Sequence, residues 1–595
     1  MPGFSLFFDT SGNADKADDR FDRALAAMQY DSRYRTASLV AGPSLHVGWA
    51  AYDGYPIQVW QSETAALLAE GMVYDRGWDD LLPLLQSDCA DRPEWKRTVQ
   101  FLRDWVAKAD GDFAIVFAAK SPPYRAIVAL DALGRLPVYW CRDGERLLVS
   151  REVKFITSLL STVQPDRAGI AQTLAMGFPW EEKTLIEGVH RLLPGAVLSW
   201  HEESGDSPEL QTYKWAFDYS PVKGDMPSFA GELVDQFVTA TRLRVKACSG
   251  RPLVLSLSGG MDSRAVAATL HRLRAEACAR TFSLPGYQPP REVDSARSIA
   301  ALCGLPWRVV PLSPPSIEAC DRLVRLKDGL NSAAMAYADE YLSALVRDSG
   351  PEAVLFSGAG GDLALVPRHP ERPLRSAREL ADLLLSRNLT FHPDLLADAM
   401  GVNRDELRDE LTAILETYPE ADMAGKYLHF CFMGYEFKSY FEGEDRNRAY
   451  LWTEAPFCAR PFFERAMLAP FAWKRRRLLN REFLRQLSPE VARVRNANTG
   501  LILGSLRDRT RQWLREMVLS HASWERAVRN RRRRTRRGGT LPLSAQDQLL
   551  ATIKSSPLVG EVFHRDRLLA WAQNPHHPAQ AWPLYTLVRY LDMCK

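Results

Sequence analysis

The sequence contains no uninterrupted run of about 18 apolar residues, which a membrane-spanning helix would need. It has no CxxC pair either, because its nine cysteines are scattered along 595 residues without the spacing of a zinc site. The net charge is only +3, so the chain as a whole is not an obvious polyanion binder. No basic stretch precedes an apolar one at the start, which argues against a secretory signal. These absences predict a cytoplasmic protein with reduced thiols, no zinc and no membrane partner.

The length and the distribution of apolar residues predict at least two domains. Up to about Trp215 the chain is rich in short apolar or alternating runs, which are typical of strands and are punctuated by glycine, proline and aspartate. These candidate strands cover residues 38–51, 114–119, 126–130, 137–140 and 147–150. From Phe229 onward, amphipathic helices dominate. We therefore predict a first domain over residues 1–215 and a second over residues 228–595.

In the second domain, four apolar runs alternate with helical stretches, a pattern that indicates a parallel, doubly wound sheet. The runs cover residues 253–257, 280–284, 308–311 and 353–356. Ligands of such sheets bind outside the carboxyl ends of the strands.

The most informative segment follows the first of these strands and reads Ser258-Gly259-Gly260-Met261-Asp262-Ser263 before a helix. Main-chain N–H groups of such a turn and of the helix start form an anion site, and two glycines let the backbone approach a phosphate. Ser258 and Ser263 can donate hydroxyl bonds to phosphate oxygens. Asp262 would repel a bare phosphate, so we expect it to bind Mg²⁺ that arrives with a nucleotide. No lysine follows the glycines, which excludes a Walker loop; a plain tight turn is the alternative.

A second loop, after the strand 353–356, has the same pattern. It reads Ser357-Gly358-Ala359-Gly360-Gly361-Asp362, small residues that end in a carboxylate. Two such loops on neighbouring strands would place Asp262 and Asp362 around one or two magnesium ions. Taken alone, the second loop is equally well explained as a glycine-rich turn.

The first loop resembles the SGGxDS pyrophosphate loop of ATP pyrophosphatases, and the paired loops after a β-rich half resemble the asparagine synthetase B superfamily. Landmarks similar to those of its glutaminase domain stand at residues 110–114, 130–139, 150–154 and 193–195. Glu292 and Asp294 form a similar acidic pair in the second half. The resemblance implies an α/β protein. An N-terminal Ntn-hydrolase-like αββα domain would precede an adenine-nucleotide α-hydrolase-like (PP-loop) domain with a parallel doubly wound sheet and extra helices.

The first half departs from the glutaminase pattern at two positions. The family exposes a cysteine after the initiator methionine, whereas this chain has Pro2, which carries no nucleophile. The family segment whose Asn and Gly stabilise the oxyanion appears here as Glu70-Gly71-Met72, and a carboxylate would oppose an oxyanion. The resemblance thus implies a degenerate glutaminase domain that acts as a structural or binding scaffold. The attacking amine would then belong to the substrate.

The second half departs from the family as well. Ala359 stands where asparagine synthetases have Glu and β-lactam synthetases have Tyr, so it offers no proton-transfer group. The late segment 493–500 lacks the family's lysine, and Arg493 or Arg495 would have to supply its charge.

Of the amide-forming groups in the superfamily, lasso peptide cyclases fit these departures best. They adenylate an Asp or Glu side chain of a peptide, whose N-terminal amine then closes a macrolactam. A β-lactam synthetase-like or asparagine-synthetase-like ligase that acts on a small molecule is the alternative.

The resemblance also implies the roles of individual residues. ATP would lie along the Ser258–Ser263 loop and contact Leu257 before it. The backbone of the strand around Phe282, Ser283 and Leu284 would bond the adenine edge, and Ser357 and Gly358 would face the α-phosphate. The general base for amine attack is expected in the acidic stretch 441–446. Glu444 is the first choice and Glu454 the second, although either could be a surface or ion-paired carboxylate. The aromatic stretch 427–441 is interpreted as a core helix or, less readily, as the lining of a substrate cavity.

The expected partners follow from the cyclase hypothesis: a precursor peptide substrate, together with a leader-binding protein and a leader peptidase of the same pathway. Residues 529–539 form a dense arginine run that could bind nucleic acid or an acidic peptide. No aromatic residues interleave it, so we interpret it as a solvated loop and expect no nucleic-acid partner. A tRNA-modifying ATP pyrophosphatase and a non-catalytic scaffold are rival hypotheses.

Overall fold

The structure is a computed structural model. It describes residues 1–9, 17–87, 91–201, 208–213, 215–217, 222, 224–285, 288, 291–366, 368–370, 372–388, 390–391, 393–519, 541–573 and 578–594. The arginine run 529–539 lies outside these residues, so its predicted role remains a prediction.

The first half of the chain folds into two antiparallel sheets of six strands each. The first sheet has the order β10-β8-β9-β1-β3-β2 and the second the order β12-β11-β7-β6-β5-β4. The strands are β1 Gly3–Asp9, β2 Tyr34–Ala41, β3 Leu45–Tyr52, β4 Ile57–Gln61, β5 Ala65–Val73, β6 Gly111–Ala119, β7 Arg125–Leu130, β8 Tyr139–Asp143, β9 Arg146–Ser150, β10 Val189–Arg191, β11 Val197–His201 and β12 Glu209–Gln211.

The two sheets pack face to face, and helices cover their outer faces. Phe8 of β1 meets Trp200 of β11 across the sheets, with ring centroids 4.0 Å apart. The helices Ala17–Ala26 and Val153–Leu159 pack on the first sheet, and the helix Arg92–Val106 packs on the second. β6 is buried along its whole length because it lies in the middle of this sandwich, and residues 113–119 are all apolar.

The second half is built on a five-stranded sheet in which every pairing is parallel. Its strands are β13 Leu253–Ser256, β14 Ala277–Ser283, β15 Trp307–Pro311, β16 Val354–Phe356 and β17 Trp452–Glu454, in the order β15-β14-β13-β16-β17. The chain moves outward from β13 to β15 and then returns to the other side of β13 with β16. The boundary between β13 and β16 is therefore the topological switch point, where such sheets bind ligands.

Helices account for most of the remaining chain. The α-helices are Ala17–Ala26, Arg92–Val106, Val153–Leu159, Arg167–Met176, Met226–Ala247, Met261–Arg272, Glu292–Leu302, Ile317–Leu326, Tyr337–Ser349, Gly361–Ala364, Ala377–Asn388, Pro393–Met400, Arg404–Thr417, Met423–Cys431, Phe441–Arg448, Arg460–Met467, Phe471–Lys474, Leu478–Leu487, Pro489–Ala492, Leu506–Leu519, Leu543–Ser555, Pro557–Val562, Arg565–Gln573 and Pro578–Met593. Phe432–Tyr440 is a π-helix, and short 3₁₀ helices cover Trp78–Gln86, Ala333–Met335, Pro456–Cys458 and Arg475–Arg477.

The predicted fold class is confirmed: a two-sheet αββα domain precedes a parallel α/β domain with additional helices. The predicted strand over residues 38–51 is two strands, β2 and β3, joined by a turn. β17 was not predicted, because its three residues are too few to show a period. Among the described residues, no helix combines the length and the apolar character needed to cross a bilayer. The eight cysteines in the described ranges are all free thiols.

Candidate active site

The loop Ser258–Ser263 leaves β13 at the switch point and is held by its own side chains. Ser258 Oγ and Ser263 Oγ are 2.7 Å apart, and Ser258 N donates to Ser263 Oγ at 3.0 Å. Gly260 N donates to Ser258 Oγ at 3.1 Å. The helix that follows, Met261–Arg272, is preceded by Gly260, which has no side chain to cap the first turn. No described side chain caps the N–H groups of that first turn, as is typical of helix starts that bind anions.

Two residues outside the motif support this loop. Glu292, of the acidic pair, accepts a hydrogen bond from Gly259 N at 2.9 Å. Arg264 binds the carbonyl oxygens of the same loop: its Nε donates to Gly260 O at 2.8 Å and its Nη2 to Gly259 O at 3.0 Å. Its Nη1 donates to Val494 O at 2.9 Å, so it joins the loop to the late segment. Sequence reasoning assigned no role to Arg264, although its place in the first helical turn was a usable signal.

The second loop packs directly on the first, and glycine is required where they touch. A Cβ at Gly358 would lie 2.6 Å from Ser263 N, and one at Gly361 would lie 2.5 Å from Asp262 Cγ. Both distances are too short for a real side chain. Asp362, the next residue, is near enough for its charge to act on the carboxylate of Asp262.

The pKa of Asp262 is shifted by its surroundings. Burial, together with the nearby charge of Asp362, raises the pKa of Asp262 to about 8. A cation bound between the two groups would relieve both effects. Within the described ranges there is no cluster of three or more His, Cys, Asp or Glu residues suited to a metal. Two neighbouring carboxylates could hold an ion that takes its remaining ligands from phosphate and water, as Mg²⁺ does.

A cavity of about 250 Å³ opens between the two loops. It brings together seven of the predicted site residues: Ser258, Gly260, Asp262, Ser263, Ser357, Gly358 and Glu444. Aromatic side chains form another part of its wall: Phe282, Tyr337, Tyr341 and Tyr440. Arg446 and Asn447, which sequence reasoning did not single out, also line it. Main chain of both glycine-rich loops, carboxylates and an aromatic wall thus meet in one space.

Glu444 faces this cavity because the rest of its helix is held from the other side. Ser357 Oγ donates to Glu444 Oε2 at 3.0 Å. The neighbouring carboxylates of the helix Phe441–Arg448 point away: Lys327 Nζ lies 2.7 Å from Glu442 and 2.6 Å from Asp445. Arg151 of the first domain also pairs with Asp445, at 2.5 Å. Burial would raise the pKa of Asp445, but Arg151 and Lys327 hold that pKa below its usual range.

Glu454, the second candidate base, lies outside the cavity lining and is enclosed by donors. Tyr74 Oη donates to its two oxygens at 2.8 and 2.7 Å, and Trp452 Nε1 donates to Oε1 at 2.7 Å. Its side chain is fully buried, and burial raises its pKa to about 7. This environment suits a structural carboxylate that joins the two domains.

The other predicted residues are placed around the cavity rather than on its wall. Arg495 is exposed and donates to Gly500 O at 3.0 Å. Its segment contacts the first loop through Ala497, whose Cβ lies 2.5 Å from a Cβ built on Gly259. Leu257 is engaged in the sheet, since its N–H donates to Arg280 O at 2.9 Å. Ser283 O accepts from Leu312 N at 2.8 Å, on the side away from the loop.

The aromatic stretch 427–441 is mostly core, as the favoured interpretation expected. Phe430, Phe432, Phe437 and Phe441 are buried. Tyr440, which is 48% exposed, lines the cavity at the end of the π-helix. π-Helical turns are frequent at functional sites, because they shift the side chains that follow.

The position of the glutaminase chemistry in the first domain is filled by an ion pair. Neither Met1 nor Pro2, ahead of β1, carries a nucleophile. Glu70 Oε1 accepts from Arg151 Nε at 2.7 Å and from Tyr55 Oη at 2.6 Å, and Glu70 Oε2 accepts from Phe4 N at 3.2 Å. A Cβ at Gly3 would lie 2.2 Å from Arg151 Cγ. These side chains fill the space at the end of β1 with paired charges.

An αββα domain followed by a PP-loop domain with two phosphate-facing loops defines a class of ATP-dependent ligases. Residues 232–537 match the family described as asparagine synthase, and residues 98–214 match the glutamine amidotransferase domain. The first match spans more than half of the chain. The chain belongs to the asparagine synthase family and is an ATP-dependent, amide-bond-forming ligase.

The similarity to solved structures is low. The chain is similar to a glutamine phosphoribosylpyrophosphate amidotransferase from B. subtilis complexed with ADP and GMP: 10% identity, covering 62% of this chain and 82% of that one, with a TM-score of 0.24. It is also similar to an NMN synthetase from Francisella tularensis: 13% identity, covering 35% and 93%, with a TM-score of 0.19. The comparison with curated proteins found no match.

Proposed function

We propose that the protein is a lasso peptide cyclase. It adenylates an Asp or Glu side chain of a precursor peptide and joins that carbonyl to the peptide's N-terminal amine, releasing AMP and pyrophosphate. The proposal is supported by a cavity between the two glycine-rich loops, together with Pro2 and the Glu70–Arg151 ion pair in the first domain. Because Pro2 and the Glu70–Arg151 pair stand where a glutaminase needs a nucleophile and an oxyanion donor, the amine must come from the substrate.

The residues of this chain supply binding, orientation and proton transfer. The substrate carboxylate oxygen forms a bond to the α-phosphorus as pyrophosphate leaves, which produces an acyl-adenylate. The amine nitrogen then bonds to the acyl carbon, AMP leaves, and Glu444 takes the ammonium proton. Asp262 and Asp362 would hold Mg²⁺, which neutralises phosphate charge when bound. The cavity's aromatic wall would hold the folded peptide and so lower the entropic cost of closing the ring.

Two further expectations belong to the same proposal. The partners are the precursor peptide, a leader-binding protein and a leader peptidase, and the protein acts in the cytoplasm with its thiols reduced. A gene neighbourhood that holds a short precursor, a small leader-binding protein and a transglutaminase-like protease would support it.

The direct test incubates the protein with ATP, Mg²⁺ and candidate precursor peptides, and measures product mass and AMP. A product lighter than the peptide by one water, resistant to unthreading, and formed with stoichiometric AMP is expected. A β-lactam synthetase-like or asparagine-synthetase-like ligase is the alternative. Ala359 is buried, however, and has neither the Tyr hydroxyl of the first group nor the Glu carboxylate of the second for proton transfer. ATP-dependent conversion of a small amino acid, with peptides left unchanged, would favour that alternative and refute the cyclase.

A further inference from the structure

The helix Leu506–Leu519 carries an apolar stripe that faces outward. Its residues Leu506, Trp513, Leu514 and Met517 recur at i, i+7, i+8 and i+11, a spacing that places them on one side of the helix. Leu506 is 81% exposed, Trp513 47% and Leu514 45%. Large apolar side chains that lie exposed together on one face are typical of an interaction surface. We call these four residues the outer stripe.

Both acidic residues of this helix are bound on its inner side. Asp508 is buried and accepts a hydrogen bond from Gly504 N at 2.9 Å. Glu516 pairs with Arg475 and Arg476. These contacts fix the helix to the rest of the domain and leave its outer side without a carboxylate of its own.

Arginines border the outer stripe on both edges. The helical period places Arg507 and Arg511 along one edge and Arg509 along the other, and all three side chains are exposed. None of the three forms an ion pair with a residue that the structure describes. A partner with carboxylates beside apolar side chains would therefore complement the stripe and both edges. The segment that follows in the sequence does not, because residues 520–540 contain eight arginines and one glutamate.

The outer stripe is connected to the first glycine-rich loop. Arg475 and Arg476, which hold Glu516, are followed by Arg477, whose Nη1 donates to Met261 Sδ at 3.5 Å. Met261 belongs to the loop that leaves β13. A partner bound on the stripe would thus be held close to this loop.

We propose that the outer stripe docks an acidic, amphipathic helix of a second protein. The stripe runs along a helix of 14 residues, about 21 Å in length, which matches one helix of a partner. Trp513 supplies an aromatic anchor of the kind that dominates binding energy, and the arginines steer the acidic helix and fix its register. A protein is favoured over a membrane surface because the stripe is connected to the loop that leaves β13, beside which a protein that hands over a substrate would dock.

The test measures fluorescence anisotropy of a labelled helical peptide made of Leu, Ala and Glu, and of the same peptide with Lys in place of every Glu. We expect the wild-type protein to bind the Glu peptide, and Trp513→Glu and Arg511→Glu each to weaken that binding at least about tenfold. Phe101→Glu and Arg103→Glu are the matched controls, since both residues are exposed on another helix, Arg92–Val106, and they should bind as the wild type does.

Each other outcome overturns the proposal. Equal binding by the wild type and Trp513→Glu does so, and so does equal binding of the Glu and Lys peptides. Vesicles that contain phosphatidylglycerol test a membrane, and sedimentation tests a second copy of this chain. If the Glu peptide fails to bind while Trp513→Glu abolishes either of these interactions, the partner is not an acidic helix. Melting temperatures of all variants should agree, which excludes misfolding as the cause.

This proposal does not depend on the proposed function. If no peptide is cyclised although the Glu peptide binds as expected, the proposed function fails and the docking surface stands. If peptides are cyclised but the Glu peptide does not bind, the docking surface fails alone.

Discussion

Replacing Glu444 by Gln tests the chemistry of ring closure without disturbing the shape of the cavity. The Gln carbonyl oxygen can still accept the bond that Ser357 Oγ now donates at 3.0 Å, so the ground-state geometry should persist. The amide cannot take the proton that the attacking amine must lose. Loss of a positioned general base typically slows its step about 10²- to 10⁴-fold, or about 3–5 kcal/mol in activation free energy.

The assay separates the two half-reactions. Exchange of labelled pyrophosphate into ATP in the presence of a candidate peptide reports adenylation, and rapid-quench mass spectrometry reports closure of the ring. Glu444→Gln should leave exchange unchanged and slow closure by the factor above.

Glu454→Gln is the matched control, since Glu454 lies outside the cavity and is bonded to Tyr74 and Trp452. It should close the ring at the wild-type rate, although disturbance of its buried hydrogen bonds should cost about 1–3 kcal/mol of stability. Closure by Glu444→Gln at the wild-type rate, or equal slowing in both variants, would refute the assignment of the base.

Three further predictions concern the loops and the support of the cavity. Asp262→Asn should lower pyrophosphate exchange by at least about a hundredfold, since the loss of outer-shell metal partners alone costs about 10- to 100-fold. The melting temperature of this variant at pH 8.5 should not fall, because burial opposes ionisation of the carboxylate that is replaced. Gly361→Ala should cost about 1–3 kcal/mol of stability, measured by denaturant titration, because the added methyl group overpacks against Asp262. It should also reduce pyrophosphate exchange. Exchange at the wild-type rate would contradict the close approach of the two loops. Arg151→Met should destabilise by about 3–5 kcal/mol, because it leaves the buried carboxylates of Glu70 and Asp445 without this partner. Its control, Arg35→Met, breaks an exposed pair and should cost less than about 1 kcal/mol, so equal effects would refute the role of burial.

The phosphate loops could be predicted from sequence because their signal is local. A short apolar strand, adjacent glycines, an aspartate and a helix follow one another within a dozen residues, and the structure keeps them in that order around Ser258–Ser263. The identity of the base could not be predicted in this way. Glu444 and Glu454 are both buried acids on neighbouring segments, and their sequence contexts do not say which one faces the nucleotide.

The sequence by itself determined the class of protein: two strand–loop–helix motifs of the asparagine synthase family that follow a β-rich half. Only the tertiary structure decided which side chains act on the cavity. Arg151 and Lys327 bind Asp445 from positions 294 and 118 residues away, and so turn its helix to present Glu444 to Ser357. Pairing of buried charges over such separations depends on how the two domains pack, and no local pattern of residues records that packing.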